Sequence, residues 1–289
     1  MLPLSFYATQ AMHGLVYGML LFLVASGLTL VFGMMRVLNV AHAGFYMLGA
    51  YLAYTVTKIT DDFWLSLIIV PILTGLLGGT VERVLLRPIQ ALGHAYEMLL
   101  TFGLFYMIGE AVIWTWGTLS LQVPTPALLE GSIPLFGALY PIYRLFILAF
   151  STIVCIVMAV VLMRTRIGII IRSTVSDDAM VASLGIPTHW VRFGVFAAGS
   201  ALAGLAGAIA APFQQADPLM GSLILVDAFV VVVLGGFGSL MGALLAALII
   251  GQIQSFGILL LPEFAMVFEF MLMAGVLIFR PQGLFGEAG

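Results

Sequence analysis

Long apolar runs make up most of the chain, and short polar stretches separate them. A helix needs about 20 apolar residues to cross the hydrocarbon core of a membrane. Hydrophobic patterning therefore predicts an all-α fold, a polytopic transmembrane helical bundle of about seven to nine spans, some of them broken or re-entrant. The predicted spans lie near 12–34, 42–57, 63–80, 96–116, 145–163, 190–211, 226–235 with 240–256, and 265–279.

Composition supports a membrane protein with a single domain. The 289 residues are 63% hydrophobic and 8% charged, whereas soluble domains are about 45–50% apolar. We expect one transmembrane domain over 1–289, with short loops and no soluble domain, so any machinery that hydrolyses a fuel would lie on another chain. One cysteine, Cys155, lies in an apolar run, which excludes an internal disulfide.

The arginines predict the orientation of the chain. They fall at ends that alternate spans would place on one side, and that side is the cytoplasm by the positive-inside rule. The N-terminus is then outside and the C-terminus inside, which requires an odd number of crossings. The 226–256 region must contribute two crossings or none, so nine or seven spans result. These arginines are Arg36, Arg83, Arg87, Arg164, Arg166, Arg172, Arg192 and Arg280.

The loop 117–144 combines several prolines with alternating polarity. Proline and glycine interrupt helices and favour turns, and alternating polarity is typical of extended chain. We therefore predict a short extended or hairpin-like cap outside the membrane.

The segment between Arg164 and Arg192 groups polar residues that the rest of the chain lacks. A short surface helix is expected there, capped by Ser176 or Thr174, with Asp177 and Asp178 at its N-terminal end. Gly185, before Ile186 and Pro187, would stop it. The apolar edge of this helix, which is suited to docking in a groove on a partner, consists of Met180, Val181 and Leu184. The alternative is an ordinary basic loop that only sets the topology.

A second interruption is the glycine-rich stretch Leu234 to Ser239. Glycine allows close helix packing and allows a helix to break where neighbouring groups satisfy the freed amides. Gly235, Gly236, Gly238 and Ser239 either line a substrate path at a broken helix or form a plain turn between two packed spans. Asp227 precedes this stretch and lies either inside the membrane or at its outer interface.

Polar residues near the start of the second span form a third group. Asn39 and His42 are candidates for capping or packing, and His42 is also a candidate for proton transfer. Glu110 and Glu269 lie within apolar runs, so we expect both to face the bundle interior or a water-filled cavity.

The sequence lacks the patterns of common enzymes. Neither a metal-ligand spacing, a P-loop nor a nucleophile elbow is present. An intramembrane hydrolase would have only Ser239 and His42 to use. A secondary transporter driven by an ion gradient remains an alternative, although its candidate carboxylates Asp227, Glu110 and Glu269 are scattered along the chain.

Four stretches in this order resemble the LivH/LivM family of ABC transporter permeases, the membrane subunits of branched-chain amino acid importers. They are Gly27–Tyr51, Arg164–Ile186, Ala197–Ile209 and Val232–Gly251. The resemblance covers almost the whole chain. It implies an ABC importer permease fold and a transport subunit that is not an enzyme.

The resemblance also implies roles for particular residues. A cytoplasmic coupling segment over 164–189 would contact an ATPase, and Asn39, His42, Gly235, Gly236, Gly238 and Ser239 would contribute to the translocation path. Asp178 and Ala179 stand where family members often carry a basic and an acidic residue, and Ala43 stands where glycine is usual. The implied ATPase-coupling residues are Arg172, Thr174, Asp177, Met180, Ala182, Gly185 and Ile186.

The implied partners are a second permease, similar or identical, two cytoplasmic ABC ATPase subunits that bind ATP, and an extracytoplasmic solute-binding protein. The chain itself would sit in the lipid bilayer of a bacterial or archaeal cytoplasmic membrane and would need no cofactor, metal or nucleic acid. Branched-chain amino acids are the default solute, while urea, short amides and other small polar solutes are carried within the same family.

Overall fold

The computed structural model describes residues 4–35 and 38–286, so Arg36 lies outside the described residues. The α-helices within these ranges follow in chain order. They are α1 (Leu4–Met35), α2 (Ala41–Thr60), α3 (Phe63–Val81), α4 (Arg87–Ile89), α5 (His94–Trp116), α6 (Ile142–Arg164), α7 (Arg166–Ser176), α8 (Asp178–Ser183), α9 (Thr188–Gln214), α10 (Met220–Gly235), α11 (Leu240–Leu260) and α12 (Ala265–Phe279).

Short irregular elements connect these helices. A π-helical turn (Glu82–Leu86) and a 3-10 turn (Gln90–Leu92) continue the line of α3, and further 3-10 turns cover Ala127–Leu129 and Pro262–Phe264. The all-α fold class is confirmed.

The predicted hairpin is confirmed in the loop between α5 and α6, and its place outside the membrane stays a prediction. Strands β1 (Ser132–Leu135) and β2 (Ala138–Pro141) pair antiparallel, with Ile133 opposite Tyr140. The two residues between them, Phe136 and Gly137, both have positive φ. Such a turn has the backbone twist that a two-residue hairpin requires.

Helix lengths divide the bundle into two groups. Within residues 4–35 and 38–286, six helices are long and apolar enough to cross a membrane, whereas α10 and the apolar part of α12 are shorter. The 16 residues of α10 span about 24 Å, less than the hydrocarbon thickness of about 30 Å. Because α10 ends at Gly235 and α11 begins at Leu240, a single straight helix through 226–256 is excluded. The number of crossings stays a prediction.

Helix α1 lies at the centre of the bundle. It packs against α6, α9, α10 and α11. Its residues from Leu20 to Ala25 are completely buried. A helix with neighbours on every side needs no polar face, which explains why its sequence is apolar all round.

Small residues allow the central helices to approach closely. In α1, Gly14 and Gly18 face α11, where Gly251 lies directly against the carbonyl oxygen of Gly14. In α9, Gly204 lies against Gly49 of α2. Lipid tails are as apolar as leucine, so helix association in a membrane depends on such close van der Waals packing.

Helix α2 begins alongside the middle of α1 rather than at its end. The Nε2–H of His42, in the first turn of α2, donates a hydrogen bond to the Val24 carbonyl oxygen at 2.9 Å. Since α1 runs on to Met35, it continues about 16 Å beyond Val24. The polar residues before α2 are therefore inside the bundle, where Asn39 is 2% exposed.

Replacing Gly207 by alanine should destabilise the bundle, because the added Cβ would overlap the Tyr46 carbonyl oxygen. Overpacking of this kind costs about 1–3 kcal/mol. The matched control is Gly103→Ala in α5, where nothing lies within 4 Å of the new Cβ. Thermal unfolding of the detergent-solubilised protein, followed by size-exclusion chromatography, measures both. Equal midpoints for the two variants would contradict the close packing of α2 and α9.

Candidate coupling segment and translocation path

Two short helices form the polar segment after α6, where one was predicted. Thr165 caps α7 by accepting a hydrogen bond from the Gly168 amide at 3.2 Å, and Asp177 caps α8 by accepting from the Met180 amide at 2.9 Å. Gly185 follows α8 with φ +84°. This confirms Asp177 and Asp178 at the start of a helix and Gly185 at its end.

The predicted caps Ser176 and Thr174 were wrong. Ser176 is the last residue of α7, and the buried Thr174 hydroxyl donates to the Ile170 carbonyl oxygen at 2.8 Å within that helix. Asp177 has an extended backbone that breaks the helical path. An N-cap residue lies outside the helix with a non-helical backbone, which fits Asp177 and does not fit Thr174 and Ser176 inside α7.

The predicted apolar edge of α8 divides into an exposed part and a buried part. Met180 is 61% exposed and Leu184 is 70% exposed, whereas Val181 is 5% exposed. Residues four apart lie on one side of a helix, so Met180 and Leu184 form a small apolar surface. Of the other predicted coupling residues, Ala182 is exposed and Ile186 is half-buried.

A tight corner joins α6 to α7. A Cβ at Gly168 would overlap the Leu162 carbonyl oxygen, so only glycine fits there. The exposed Arg172 donates a hydrogen bond from its guanidinium to the same carbonyl. In this structure Arg172 therefore holds the corner, and α7 is braced against the end of α6.

Arg192 in the first turns of α9 connects α8 to the bundle. Its guanidinium pairs with the Asp178 carboxylate of α8 and donates to Gln90 Oε1 at 2.9 Å. The structure thus gives Asp178 a partner within the chain. Displacing α8 would pull on α9 and on the chain that follows α3.

A second ion pair supports the same end of the bundle. Arg87 pairs with the fully buried Glu82 at 2.7 Å and also donates to the His189 carbonyl oxygen at 3.2 Å. Desolvation offsets much of the Coulomb energy of a buried ion pair. Breaking the pair is nevertheless strongly destabilising, because it leaves one buried charge without a partner. The start of α9 is consequently anchored to the π-helical turn after α3.

The glycine-rich stretch is the turn between α10 and α11. Gly236 and Gly238 have φ values of +98° and +80°, which favour glycine. Ser239 caps α11 by accepting from the Gly242 amide at 3.1 Å. Gly235 and Gly242 are in backbone contact, so the two helices form a tight hairpin.

Two neighbours hold this turn in place. The ring of the half-exposed Phe237 stacks on Phe32 near the end of α1, with 4.3 Å between the ring centroids. The Leu284 amide donates to the Leu234 carbonyl oxygen at 2.8 Å. The turn therefore lies near the end of α1, and the segment after α12 closes over it.

Asn39 and His42 are buried at the start of α2. The His42 ring packs against Gly27 of α1 in addition to its bond to Val24, which is a packing role. Neither residue caps α2, whose N-cap residue is Val40 and has no side-chain cap. Both polar atoms of the Asn39 amide lack a hydrogen-bond partner among the described residues.

The two groups proposed for the path do not meet. Ala43, beside His42, lies against Gly221 in the first turn of α10, whereas Ser239 follows the last turn of that helix. Ser239 caps α11, whereas His42 packs against α1 from the start of α2. The pair that a hydrolase would need is therefore not assembled.

The carboxylates within apolar runs have different environments. Glu269 is buried at 2% exposure, as predicted, whereas Glu110 is exposed on the surface of the chain and does not face the bundle interior. The structure also brings Asp227 and Glu269 near each other beside Tyr17, since Tyr17 donates a hydrogen bond to Asp227 and α10, which carries Asp227, packs against α12, which carries Glu269. Sequence separation hid this proximity, because 41 residues of chain, including all of α11, lie between the two carboxylates. Among residues 4–35 and 38–286, no group of three or more potential ligands could hold a metal ion.

Comparison with known proteins identifies the family. The profile described as "Branched-chain amino acid transport system / permease component" matches residues 10–277. The chain belongs to this family. It is a transport permease subunit rather than an enzyme, and the ABC importer permease predicted from the sequence is confirmed.

Curated relatives match the permease over nearly its full length. BraD, the high-affinity branched-chain amino acid transport system permease protein of Pseudomonas aeruginosa, is 29% identical over 97% of this chain and 96% of its own. LivH of Salmonella typhimurium is 27% identical over 98% and 96%. LivM of Escherichia coli K12 is 26% identical over 92% of this chain and 68% of its own. No solved structure matches the permease significantly.

Removing the α8 cap should loosen that helix selectively. Asp177→Ala deletes the acceptor for the Met180 amide, and loss of such a cap costs about 1 kcal/mol. Asp177→Asn keeps a capping oxygen without the charge and should behave like the parent permease. Hydrogen exchange of peptides covering 178–184 measures the effect. Equal exchange in the alanine variant and the parent would contradict the assignment of Asp177 as the cap.

Proposed function

We propose that the permease is the membrane subunit of an importer for branched-chain amino acids. Its relatives BraD and LivH carry this substrate in their names. The single domain over 1–289 provides the translocation path, and separate ATPase subunits provide the energy. The observation that carries the proposal is the exposed Met180 and Leu184 edge on a helix that is tied to the bundle through Asp178 and Arg192.

The coupling segment 164–189 faces the cytoplasm in this proposal. Arg83, Arg87 and Arg192 lie together at one end of the bundle. Arg83 stacks on Trp190, and Arg87 donates a hydrogen bond to the neighbouring His189 carbonyl oxygen. Arg192 donates a hydrogen bond to Gln90. Asp62 precedes α3 and the arginines Arg83 and Arg87 follow it, so Asp62 and the nearby Lys58 lie at the other end of that helix. Basic residues concentrate on the cytoplasmic side of membrane proteins. The N-terminus is then outside and the C-terminus inside.

Docking of an ATPase onto α8 would use the exposed side of the segment. Met180, Ala182 and Gly185 are exposed there, and Asp177 is exposed at the helix start. Thr174 and Arg172 would not contact the ATPase directly, since Thr174 is buried and Arg172 braces α7 against Leu162. These two residues would set the position of α8, and Ile186 would seat the end of the segment.

ATP binding on the partner subunits would then bias the bundle between two states. A ligand shifts such an equilibrium only by its different affinity for the two states. Movement of α8 reaches α9 through the Arg192 ion pair, and α9 packs against α1, α2 and α3. A rigid helix in contact with three others transmits a displacement instead of absorbing it.

Further partners complete the importer. A second permease, as the paired relatives LivH and LivM suggest, would cover one face of the bundle, and an extracytoplasmic solute-binding protein would deliver the solute. Two ATPase subunits would bind ATP. The complex would lie in a bacterial or archaeal cytoplasmic membrane, since the relatives come from bacteria and from an archaeon.

Within the path, we place Asn39 and the glycine turn at different levels. Asn39 offers an amide that no described protein group satisfies, which suits contact with water or solute. His42 positions the start of α2 beside it. Gly235, Gly236, Gly238 and Ser239 provide the pivot between α10 and α11 near the cytoplasmic end.

The ion-driven secondary transporter considered from the sequence is set aside, because the family match identifies an ABC importer permease.

Charge on the exposed edge of α8 should abolish ATPase binding. Met180→Asp and Leu184→Asp each place a carboxylate in an apolar contact, and about tenfold less ATPase should copurify with the tagged permease from membranes. The matched control is Ala179→Asp on another side of the same helix. Quantitative immunoblotting of the eluates measures the loss.

Two results would contradict the proposal. Recovery of no ATPase with the intact, folded parent would remove the coupling role from α8. Equal ATPase recovery with Leu184→Asp and Ala179→Asp would remove the docking role from the Met180 and Leu184 edge.

A further inference from the structure

Polar side chains from three helices meet inside the apolar part of the permease. The hydroxyl of Tyr17 in α1 donates a hydrogen bond to the Asp227 carboxylate in α10. Glu269 lies in α12, which packs against α10 and α11, and its carboxylate is near Asp227 and Gln254. We refer to Tyr17, Asp227 and Glu269 as the carboxylate cluster.

The carboxylate cluster has no cation of its own among the described residues. The ion pairs within residues 4–35 and 38–286 involve Glu82, Glu97 and Asp178, and neither Asp227 nor Glu269 takes part. Glu269 is 2% exposed, and its Oε1 has no hydrogen-bond partner there. A buried carboxylate oxygen without a partner is costly, so a positive group or proton donor is expected to complete the site.

The carboxylate cluster also reaches the surface of the chain. Asp227 is partly exposed, and Leu223 and Val226 on the same helix are 60% and 43% exposed. A carboxylate facing lipid at this depth is unfavourable, whereas one facing a water-filled cavity is common. This face of α10 is therefore suited to the wall of the path, next to the second permease.

We propose that the carboxylate cluster binds the ammonium group of the solute as it crosses the membrane. This inference rests on the proposed function, because branched-chain amino acids combine an ammonium group with an apolar side chain. Asp227 and Glu269 supply acceptors for the ammonium, Tyr17 orients Asp227, and Leu223 and Val226 supply apolar surface. A solute that carries a carboxylate but no ammonium group would not bind at this site.

Uptake by the reconstituted complex tests the role in transport. Asp227→Asn and Glu269→Gln remove one charge each at nearly constant volume, and each should lower the rate of leucine uptake about tenfold or more. ATP hydrolysis should stay close to that of the parent complex. Glu110→Gln is the matched control, since Glu110 is an exposed carboxylate within an apolar helix. Asp227→Glu should restore most of the uptake.

Two outcomes of this assay would overturn the inference. Unchanged uptake in both neutral variants would remove the carboxylate cluster from the path. A parallel loss of uptake and ATP hydrolysis, with no rescue by Asp227→Glu, would assign it to the structure of the bundle. If the parent complex takes up no leucine, the proposed function fails, and thiol labelling still tests the carboxylate cluster.

Thiol labelling is straightforward because the chain has a single cysteine, Cys155, which can be removed. In a Cys155→Ala background, Asp227→Cys places one thiol beside Glu269. A cationic methanethiosulfonate should react about tenfold faster than an anionic one, and Glu269→Gln should abolish this preference. Isoamylamine, which carries only the ammonium group, should slow the cationic reagent, whereas 4-methylpentanoate, which carries only a carboxylate, should not.

Labelling in the resting complex and in the complex trapped with ATP and vanadate covers both states. No reaction in either state would show that water does not reach the carboxylate cluster, and this would overturn the inference. If the cationic reagent still reacted faster after Glu269→Gln, the charge that attracts it would not be that of Glu269. Equal slowing by isoamylamine and 4-methylpentanoate would contradict an ammonium site.

Discussion

Backbone contact between small residues is the constraint on which this bundle depends. In a membrane, apolar side chains gain nothing by leaving lipid for protein, so helices associate only where they fit closely. The contacts of Gly14, Gly18 and Gly251 between α1 and α11, and of Gly49 and Gly204 between α2 and α9, provide that fit. Helices α1 and α9 share these contacts with most of the bundle, and the other elements are positioned by them.

Close packing of the centre decides where polar groups can lie. Charged side chains concentrate at the end of the bundle that carries α7 and α8, where Arg87, Arg192 and their partners bind α9 to its neighbours. Inside the bundle, polar atoms occur at the start of α2 and around Asp227. Both places are where a helix begins late or is too short to cross, and these are the interruptions that a path for a polar solute requires.

Much of this arrangement was predictable from the sequence, because apolar runs and turn residues are local signals. The spans, the hairpin after α5, the helix that begins at Asp177 and the stop at Gly185 all follow from residues within one or two turns of each other. The caps proposed at Thr174 and Ser176 failed because both residues lie inside α7, and the chain first leaves the helical path at Asp177.

Contacts between distant parts of the chain were beyond the reach of local patterns. Nothing near Asp227 predicts that Tyr17 and Glu269 join it, and nothing near Glu110 predicts that its helix faces outward there. The depth at which α2 starts depends on the fit of the His42 ring beside Gly27. Such features arise from the packing of whole helices, which the order of residues determines only through the complete fold.

The ion pair between Asp178 and Arg192 also limits how the permease can be recombined with its relatives. A chimera that exchanges α7 and α8 alone would separate Asp178 from Arg192 and Gln90, and would leave a guanidinium without its carboxylate at the start of α9. The unit that can be exchanged without this mismatch extends through Arg192 and includes the turn at Gln90. Modularity in this protein therefore follows contacts in space and not the boundaries of helices.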